Sequence, residues 1–499
     1  NCTRNRPCHD INKWETFKKY CMRDVDVERQ IADKLKMYPI SDEEHRLYVL
    51  DQIINDRGVL VDSELAEQAV KLNSIQTAVA VEQAYMITGL ENPNSVTQLK
   101  QWLKEKGVEI ESLSKKSVKS LADETDGDVS EMLKLRLLMA KTSVKKYEAV
   151  IRSVCSDNRV HGMMRFCGAN RTGRWSGNIL QPQNLPQNHL PDLTLARDIV
   201  KDGDFEMLDM MFGNVPNVLS ELIRTVLIPK PNHRFIVADF SAIEARVLAW
   251  IAGEQWRIDT FKNGGDIYCA SASKMFKVPV EKHGVNGELR QKGKISELAC
   301  GYGGSVGALK NMGAVEMGVQ ENELQGLIND WRNANPHIVR FWYEVGNAAM
   351  KAIKEKTTVP LGKLVFAYER GILFIRLPSG RRLSYIKPRI GTNRFGGDSI
   401  TYMGINSAKK WDRLETFGGK LTENIVQGTA RDLLANALIN AANAGYDTVF
   451  HVHDEIICEV PNGYGSVDEL CKLMCIKPEW ADGLPLNADG FECEYYKKE

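Results

Sequence analysis

The stretch FIVADFSAIEARVLAW, residues 235–250, marks the sharpest change of pattern in the chain. Phe235 to Ala238 is a short continuous apolar run, which reads as a strand buried in a sheet, and it ends at Asp239. From Ile243 to Ile251 the apolar spacing turns helical. An acid directly after a buried strand is held by rigid backbone yet opens at the sheet edge, as a metal ligand must, although acids there are also common caps and turn formers. A second such place lies far along the chain. FHVHDEIICEV, residues 450–460, reads as a strand, a turn at His453 and Asp454, and a second strand.

Between them lies RQKGKISELACGYG, residues 290–303. Arg290, Lys294, Leu298 and Tyr302 are four apart, and on a helix each step of four drifts by only ~40°, so they form one stripe about 18 Å long. Two cations at one end and an aromatic at the other could hold both ends of a nucleotide, whose phosphates are anionic and whose base is flat. The same stripe could be a solvated basic face running into a core tyrosine. GYGGSVG, from Gly301 to Gly307, lacks the GKS or GKT ending and preceding strand of a phosphate loop, and reads as a tight helix exit.

At 499 residues, with 43% apolar and 26% charged residues, the chain has ample core for two to four units and excludes wholesale disorder or a fibrous repeat. Lys plus Arg and Asp plus Glu are both 65, so any nucleic-acid contact must come from local clustering. The 11 cysteines show no paired-thiol spacing, which suits a reduced compartment; Cys471 and Cys475, with Cys493 beyond, read as a helix face, a metal cluster being the alternative. No stretch reaches the ~20 apolar residues of a membrane span and no apolar signal segment opens the chain, so we expect a cytoplasmic protein. Because the sequence opens on Asn1, we expect a fragment or a processed piece of something longer.

Helices are expected from Asn12 to Leu35, with Trp14, Phe17, Tyr20 and Cys21 on one side, from Glu43 to Asn55, and over 63–90 and 129–152. The polar stretch 112–128 has turn chemistry, making the long helices a projecting arm. Arg171 to Pro186 is a Gly-, Asn- and Gln-rich loop that something outside it must hold. Residues 253–355 read as mostly helical, 357–390 as strands and 420–444 as one long helix. The whole is an α/β (α+β) arrangement with helical insertions.

These segments, in this order, resemble motifs A, B and C of the family A DNA polymerases. RTGRWSG followed by QPQNLP, within 171–186, is similar to the family's TGR and QN segment, GGDIYCASA from Gly264 to the DIY segment, and ENIVQGTARD, 423–432, to the helix before motif C. The resemblance covers roughly residues 13–499. It implies a right-hand fold with palm sheet, helical fingers and helical thumb. The expected divisions are an exonuclease remnant over 1–38, thumb over 39–155, palm over 156–250, fingers over 251–356 and palm again over 357–499.

The resemblance implies a template-directed DNA polymerase using two Mg²⁺ ions, held by Asp239 and Asp454 with the Phe240 backbone carbonyl, and Glu455 as an accessory acid. Arg290 and Lys294 match the pair that grips the triphosphate, Lys294 as proton donor to pyrophosphate. Glu244 matches the residue that closes over the sugar's 2′ carbon and so favours deoxynucleotides. Tyr302 matches the aromatic beside the template base. Leu298 stands where Phe or Tyr is usual, and Tyr268 where bacterial members have His.

Arg174, Gln427 and His453 match positions contacting the duplex near the primer end, and Arg246 is grouped with the DNA-facing residues. Lys134, Arg136, Lys141, Lys145 and Lys146 resemble the thumb's backbone contacts. The implied partners are primer-template DNA, deoxynucleoside triphosphates and other replication proteins. YCMRD, residues 20–24, resembles the last motif of the family's 3′ to 5′ exonuclease, with Tyr20 and Asp24 in the matching places. The acids that should precede it are not in this sequence, so no proofreading is expected from this chain alone. A single-subunit RNA polymerase, which shares the palm, and an inactive DNA-binding homologue are the competing readings.

Overall fold

The computed structural model describes residues 6–139, 145–392 and 396–498. The chain divides into two compact units, Asn1–Asp51 and Gln52–Glu499. In the first, the helix Ile11–Leu35 starts where the Asp10 carboxylate accepts the Lys13 N–H, and none of its residues is buried.

At the centre of the second unit is a four-stranded antiparallel sheet in the order Thr448–Val452, Glu455–Pro461, His233–Phe240, Ala488–Cys493. Phe235 to Ala238 are fully buried, because this strand has neighbours on both edges and the helix Val467–Met474 packs on it. The helix Ile243–Ala252 follows, as the change of period predicts.

A second antiparallel sheet is a six-stranded meander running from Thr358 to Thr416. Its inner face, with Leu373, Ile375, Tyr385, Ile400 and Tyr402, packs on the helix Pro336–Glu355 and on Leu421 and Ile425 of the helix Gly418–Asn443. Strands were expected only to Ile390. The sheet continues through Asp398–Ile405 and Trp411–Thr416, whose outward residues include exposed Ile405 and Trp411, so alternation there gives a weak signal.

The arm differs from expectation in one respect. Residues 112–128 are not a polar turn: Lys115–Glu124 is a helix whose start is capped by Ser114 and whose Val118 and Ala122, one turn apart, are buried. The serine there is a cap, and Val118 and Ala122, with the half-buried Leu121, anchor the helix in the cluster of Leu99, Leu103 and Leu133. The expected 129–152 helix is Gly127–Met139 and Lys145–Ser153 among the described residues. No helix among the described residues is long and apolar enough to cross a membrane.

Candidate active site

Strand register brings the distant acids together. Glu455 lies directly opposite Asp239 across the two central strands, Asp489 flanks Asp239 from the other side, and the Phe240 N–H donates to the Asp454 carbonyl at 3.1 Å. His453, at φ 55°, takes the left-handed conformation that lets the chain reverse within two residues and turn Asp454 toward Asp239. Like charges side by side on a sheet repel. Burial, and then the charge of Asp239, push the Asp454 carboxyl up to about 7. Asp239 is raised too, chiefly by burial, with Lys498 opposing.

The Asp239 Oδ1 atom is buried with no hydrogen-bond partner among the described residues. A buried, unpaired carboxylate oxygen beside a second repelled carboxylate is a donor set that suits a hard divalent cation. Among the described residues no three His, Cys, Asp or Glu side chains form a closed metal centre. Two carboxylates with the remaining positions left to backbone, water and phosphate oxygens are the usual terms on which Mg²⁺ is held beside a nucleotide.

The basic stripe lies on the helix Leu289–Cys300, which continues into the turn carrying Tyr302. Arg290 donates to Asp266 Oδ2 through Nη2 at 2.8 Å and Nε at 2.9 Å, and its guanidinium lies 5.2 Å from the Tyr268 ring. Asp266 also caps the helix Ile267–Phe276 by accepting the Tyr268 and Cys269 N–H groups. Gly293 makes this packing possible: a Cβ there would sit 2.3 Å from the Tyr268 carbonyl oxygen and 3.0 Å from the Ala272 methyl. Gly293→Ala must separate the two helices, so it is expected to cost roughly 1–3 kcal/mol of stability in denaturant unfolding. Unchanged stability would show that the approach is not close in solution. Lys294 is exposed, with no hydrogen bond or ion pair among the described residues, and Leu298 is 51% exposed.

A cavity of about 330 Å³, within the range of ligand sites, is lined by Glu244, Tyr268, Leu298, Tyr302 and Asp454 together with Arg257 and Glu297. Glu244 is held from both sides: Arg174 Nη2 donates to Oε1 at 2.8 Å and the Tyr302 hydroxyl to Oε2 at 2.7 Å. Burial and the Glu244 charge raise the Tyr302 hydroxyl far above its ordinary value, so it stays a donor. Beneath, Arg257 grips Glu297 through both nitrogens, at 2.8 and 2.5 Å, and the Trp331 indole N–H donates to Glu297 Oε1.

The Arg171–Pro186 loop is held from outside, as its composition requires. Arg381 Nη2 donates to the Thr172 carbonyl and Arg431 Nε to the Gly173 carbonyl, while Asp432 accepts from Arg381 Nε at 2.6 Å. Gln427 lies half-buried on the helix Gly418–Asn443. His453 is exposed in the acid turn.

Arg246 is not where a DNA contact would be. It is 5% exposed, with Nε donating to the Ser241 carbonyl, Nη1 to the Pro485 carbonyl, and its plane on the Phe261 ring. Facing inward on the helix Ile243–Ala252, it ties that helix to the turn before it and to the loop preceding the strand Ala488–Cys493. Lys134 and Lys145 are exposed. Arg136 is spent on Asn94, Lys146 donates to the Asn184 carbonyl, and Lys141 lies outside the described residues. Glu455 is 1% exposed and accepts from Lys498 Nζ at 2.8 Å and the Tyr496 hydroxyl at 3.3 Å. Arg381, Tyr496 and Lys498 were not singled out in the sequence. Their only signal is position: one in a Ser-Gly turn, two in the charged run EYYKK.

The profile of DNA polymerase family A matches residues 63–477. A DNA polymerase of Bacillus phage SP02 is 52% identical over 499 residues, 99% of this chain and 77% of its own length. DNA polymerase I of Rhizobium leguminosarum is 29% identical over 48% of this chain and 20% of its own length. The thermostable DNA polymerase I of Thermus aquaticus is 27% identical over 52% of this chain and 27% of its own length. The chain therefore spans only a minor part of these bacterial relatives. The POL domain of Pol1 from M. smegmatis, solved in complex with DNA primer-template and dNTP, superposes with a TM-score of 0.60 at 20% identity, over 89% of this chain and 68% of that one. At that identity the likeness establishes the fold.

Proposed function

This chain belongs to DNA polymerase family A, and from that premise we propose that it is a template-directed polymerase adding deoxynucleotides to a primer 3′-hydroxyl with two Mg²⁺ ions held by Asp239, Asp454 and the Phe240 carbonyl. The observation that carries this reading is the buried Asp239 oxygen, without a hydrogen-bond partner among the described residues, on a strand flanked by Asp454 and Glu455. Two cations bound there would ease ionisation of the primer hydroxyl and neutralise charge on the departing pyrophosphate. The 3′ oxygen attacks the α-phosphorus while the bond to pyrophosphate breaks.

Arg290 and the exposed Lys294 line the path of the triphosphate, and the Lys294 ammonium supplies a proton to the leaving group. Tyr268, stacked by Arg290, contacts the same phosphates. Tyr302 sits beside the template base. Glu244, clamped by Arg174 and Tyr302 at the cavity, has a fixed position from which to exclude a ribose hydroxyl.

In this reading the central sheet is the palm, 251–356 the fingers and 39–155 the thumb, with Lys134, Lys145 and Lys146 toward the DNA backbone. Arg174, Gln427 and His453 face the duplex near the primer end. The partners are primer-template DNA, deoxynucleoside triphosphates and other replication proteins in the host cytoplasm. Asp24, on a helix without buried residues, has Tyr20 as its neighbour, and we propose no proofreading by this chain; release of nucleotides from a mispaired 3′ end by metal-replete protein would overturn that.

The test is extension of a labelled primer on a DNA template with Mg²⁺, each deoxy- and ribonucleotide supplied separately. Deoxynucleotide-dependent extension is expected; equal use of both kinds would favour the RNA polymerase reading and remove Glu244 from its role. Leu298 gives a second handle. Half-exposed at the cavity, it offers the incoming sugar an aliphatic side chain in place of an aromatic face. Leu298→Phe is expected to speed single-nucleotide incorporation roughly 3- to 10-fold, the value of about one aromatic contact. A variant no faster than the parent would sink that assignment.

A further inference from the structure

Among the described residues, Lys498 is the cation in direct contact with Asp239 and Glu455. Its Nζ lies 2.8 Å from Glu455 Oε2 and 3.4 Å from Asp239 Oδ2. The segment carrying it is stitched down at several points. The Tyr496 N–H donates to the Leu227 carbonyl, and the Tyr496 hydroxyl, itself accepting from Arg224, donates to Glu455. The Lys498 N–H donates to Asn188 Oδ1 while its carbonyl accepts the Asn188 N–H. Such anchoring delivers an ammonium to a chosen place.

The two carboxylates it meets differ in kind. The Glu455 side chain is almost wholly buried and receives two donors, whereas Asp239 is the more open and, among the described residues, takes only the longer contact and keeps its other oxygen without a partner. A buried carboxylate with a short ion pair does not give its partner up readily. An open one with a long contact does.

We propose that Lys498 is a positioning residue: it holds Glu455 throughout, and lends its charge to Asp239 only until a divalent cation takes that carboxylate over. This rests on the proposed assignment of Asp239 to the metal. Lys498 is then both a competitor that sets the affinity for the free cation and a clamp that keeps Glu455 from joining the coordination. Its charge offsets the mutual repulsion of the Asp239 and Glu455 carboxylates.

The experiment is titration of the full chain, free of DNA and nucleotide, with Mn²⁺ followed by electron paramagnetic resonance. Lys498→Met is expected to tighten Mn²⁺ binding tenfold or more, as removal of one charge a few ångströms from a divalent ion implies even with the screening of water (about 30-fold at about 4 Å). Lys498→Arg should restore the parent affinity. Since Lys498→Met leaves Glu455 buried without its cation and could unfold the site, Lys498→Met/Glu455→Gln is measured beside it; the amide still accepts from Tyr496, and the tighter binding should persist. Mn²⁺ affinity in the double variant within twofold of Glu455→Gln alone would overturn the proposal and reduce Lys498 to a structural partner of Glu455. Asp239→Asn separates the two claims. Loss of Mn²⁺ binding in that variant supports the metal assignment whatever Lys498 does, while unchanged binding overturns that assignment and this proposal with it.

Discussion

Asp454→Asn is expected to abolish nucleotide incorporation, by about 10³-fold or more, while duplex affinity stays within about twofold of the parent. The asymmetry follows from what the side chain touches. Asp454 lines the cavity and faces Asp239, whereas the proposed grip on the DNA backbone belongs to cations elsewhere in the chain. A fall of about 10³ corresponds to roughly 4 kcal/mol, a modest demand on Asp454 in its proposed role as ligand to an ion that would stabilise transferring charge. Single-turnover extension and filter binding on the same preparation check it, and full turnover would remove Asp454 from the site.

The same carboxyl makes a pH prediction. Burial and the Asp239 charge penalise its ionised form and push it up to about 7, against an ordinary 3.8. A raised acid pKa means the folded state holds its proton more tightly. The associated stability is therefore complete below about pH 4 and is lost as pH climbs to about 7. Cation binding offsets that loss by favouring the ionised form. The rise in unfolding temperature on adding Mg²⁺ should thus be larger at pH 8 than at pH 6, and the difference should shrink in Asp454→Asn. An equal rise at both pH values would show that Asp454 does not meet the ion.

The second large effect is on stability. Arg257→Ala is expected to cost roughly 3–5 kcal/mol, because it leaves the Glu297 carboxylate buried beneath the cavity with its charge uncompensated. Arg257 is itself fully buried, and besides the two bonds to Glu297 it donates to Asn335 Oδ1 at 3.0 Å. Replacing both partners with apolar residues, Arg257→Met/Glu297→Met, should recover much of the loss, since the penalty comes from the orphaned charge rather than from the missing bond. Urea unfolding of the three proteins decides it. A single variant within 1 kcal/mol of the parent would mean that water reaches this pair.

Legibility in the sequence tracked the range of the interactions involved. The apolar run Phe235–Ala238, the acid after it and the four-residue spacing from Arg290 are local patterns; the strand they imply is present, and the helix carries Arg290, Lys294 and Leu298 but ends at Cys300, leaving Tyr302 in the turn beyond. The helix Lys115–Glu124 escaped because two buried residues in ten leave little period to read. Arg246 was misplaced for a related reason: arginine is ambiguous between a surface cation and an inward clamp, and only the carbonyls of Ser241 and Pro485 around it settle which.

From the order of residues alone come the acids at strand ends, the stripe of cations, the outside-held loop and a zero net charge that needs local clusters to meet DNA. Tertiary structure alone decides that Glu455 faces Asp239 across a strand pair, that Arg174 and Tyr302 clamp one carboxylate between them, and that Lys498 reaches the acids. The physical reason is that strand and helix periods are written within a few neighbouring residues, whereas charge pairing depends on register and burial. Those arise only once segments far apart in the chain have packed, and they leave no period behind to be read.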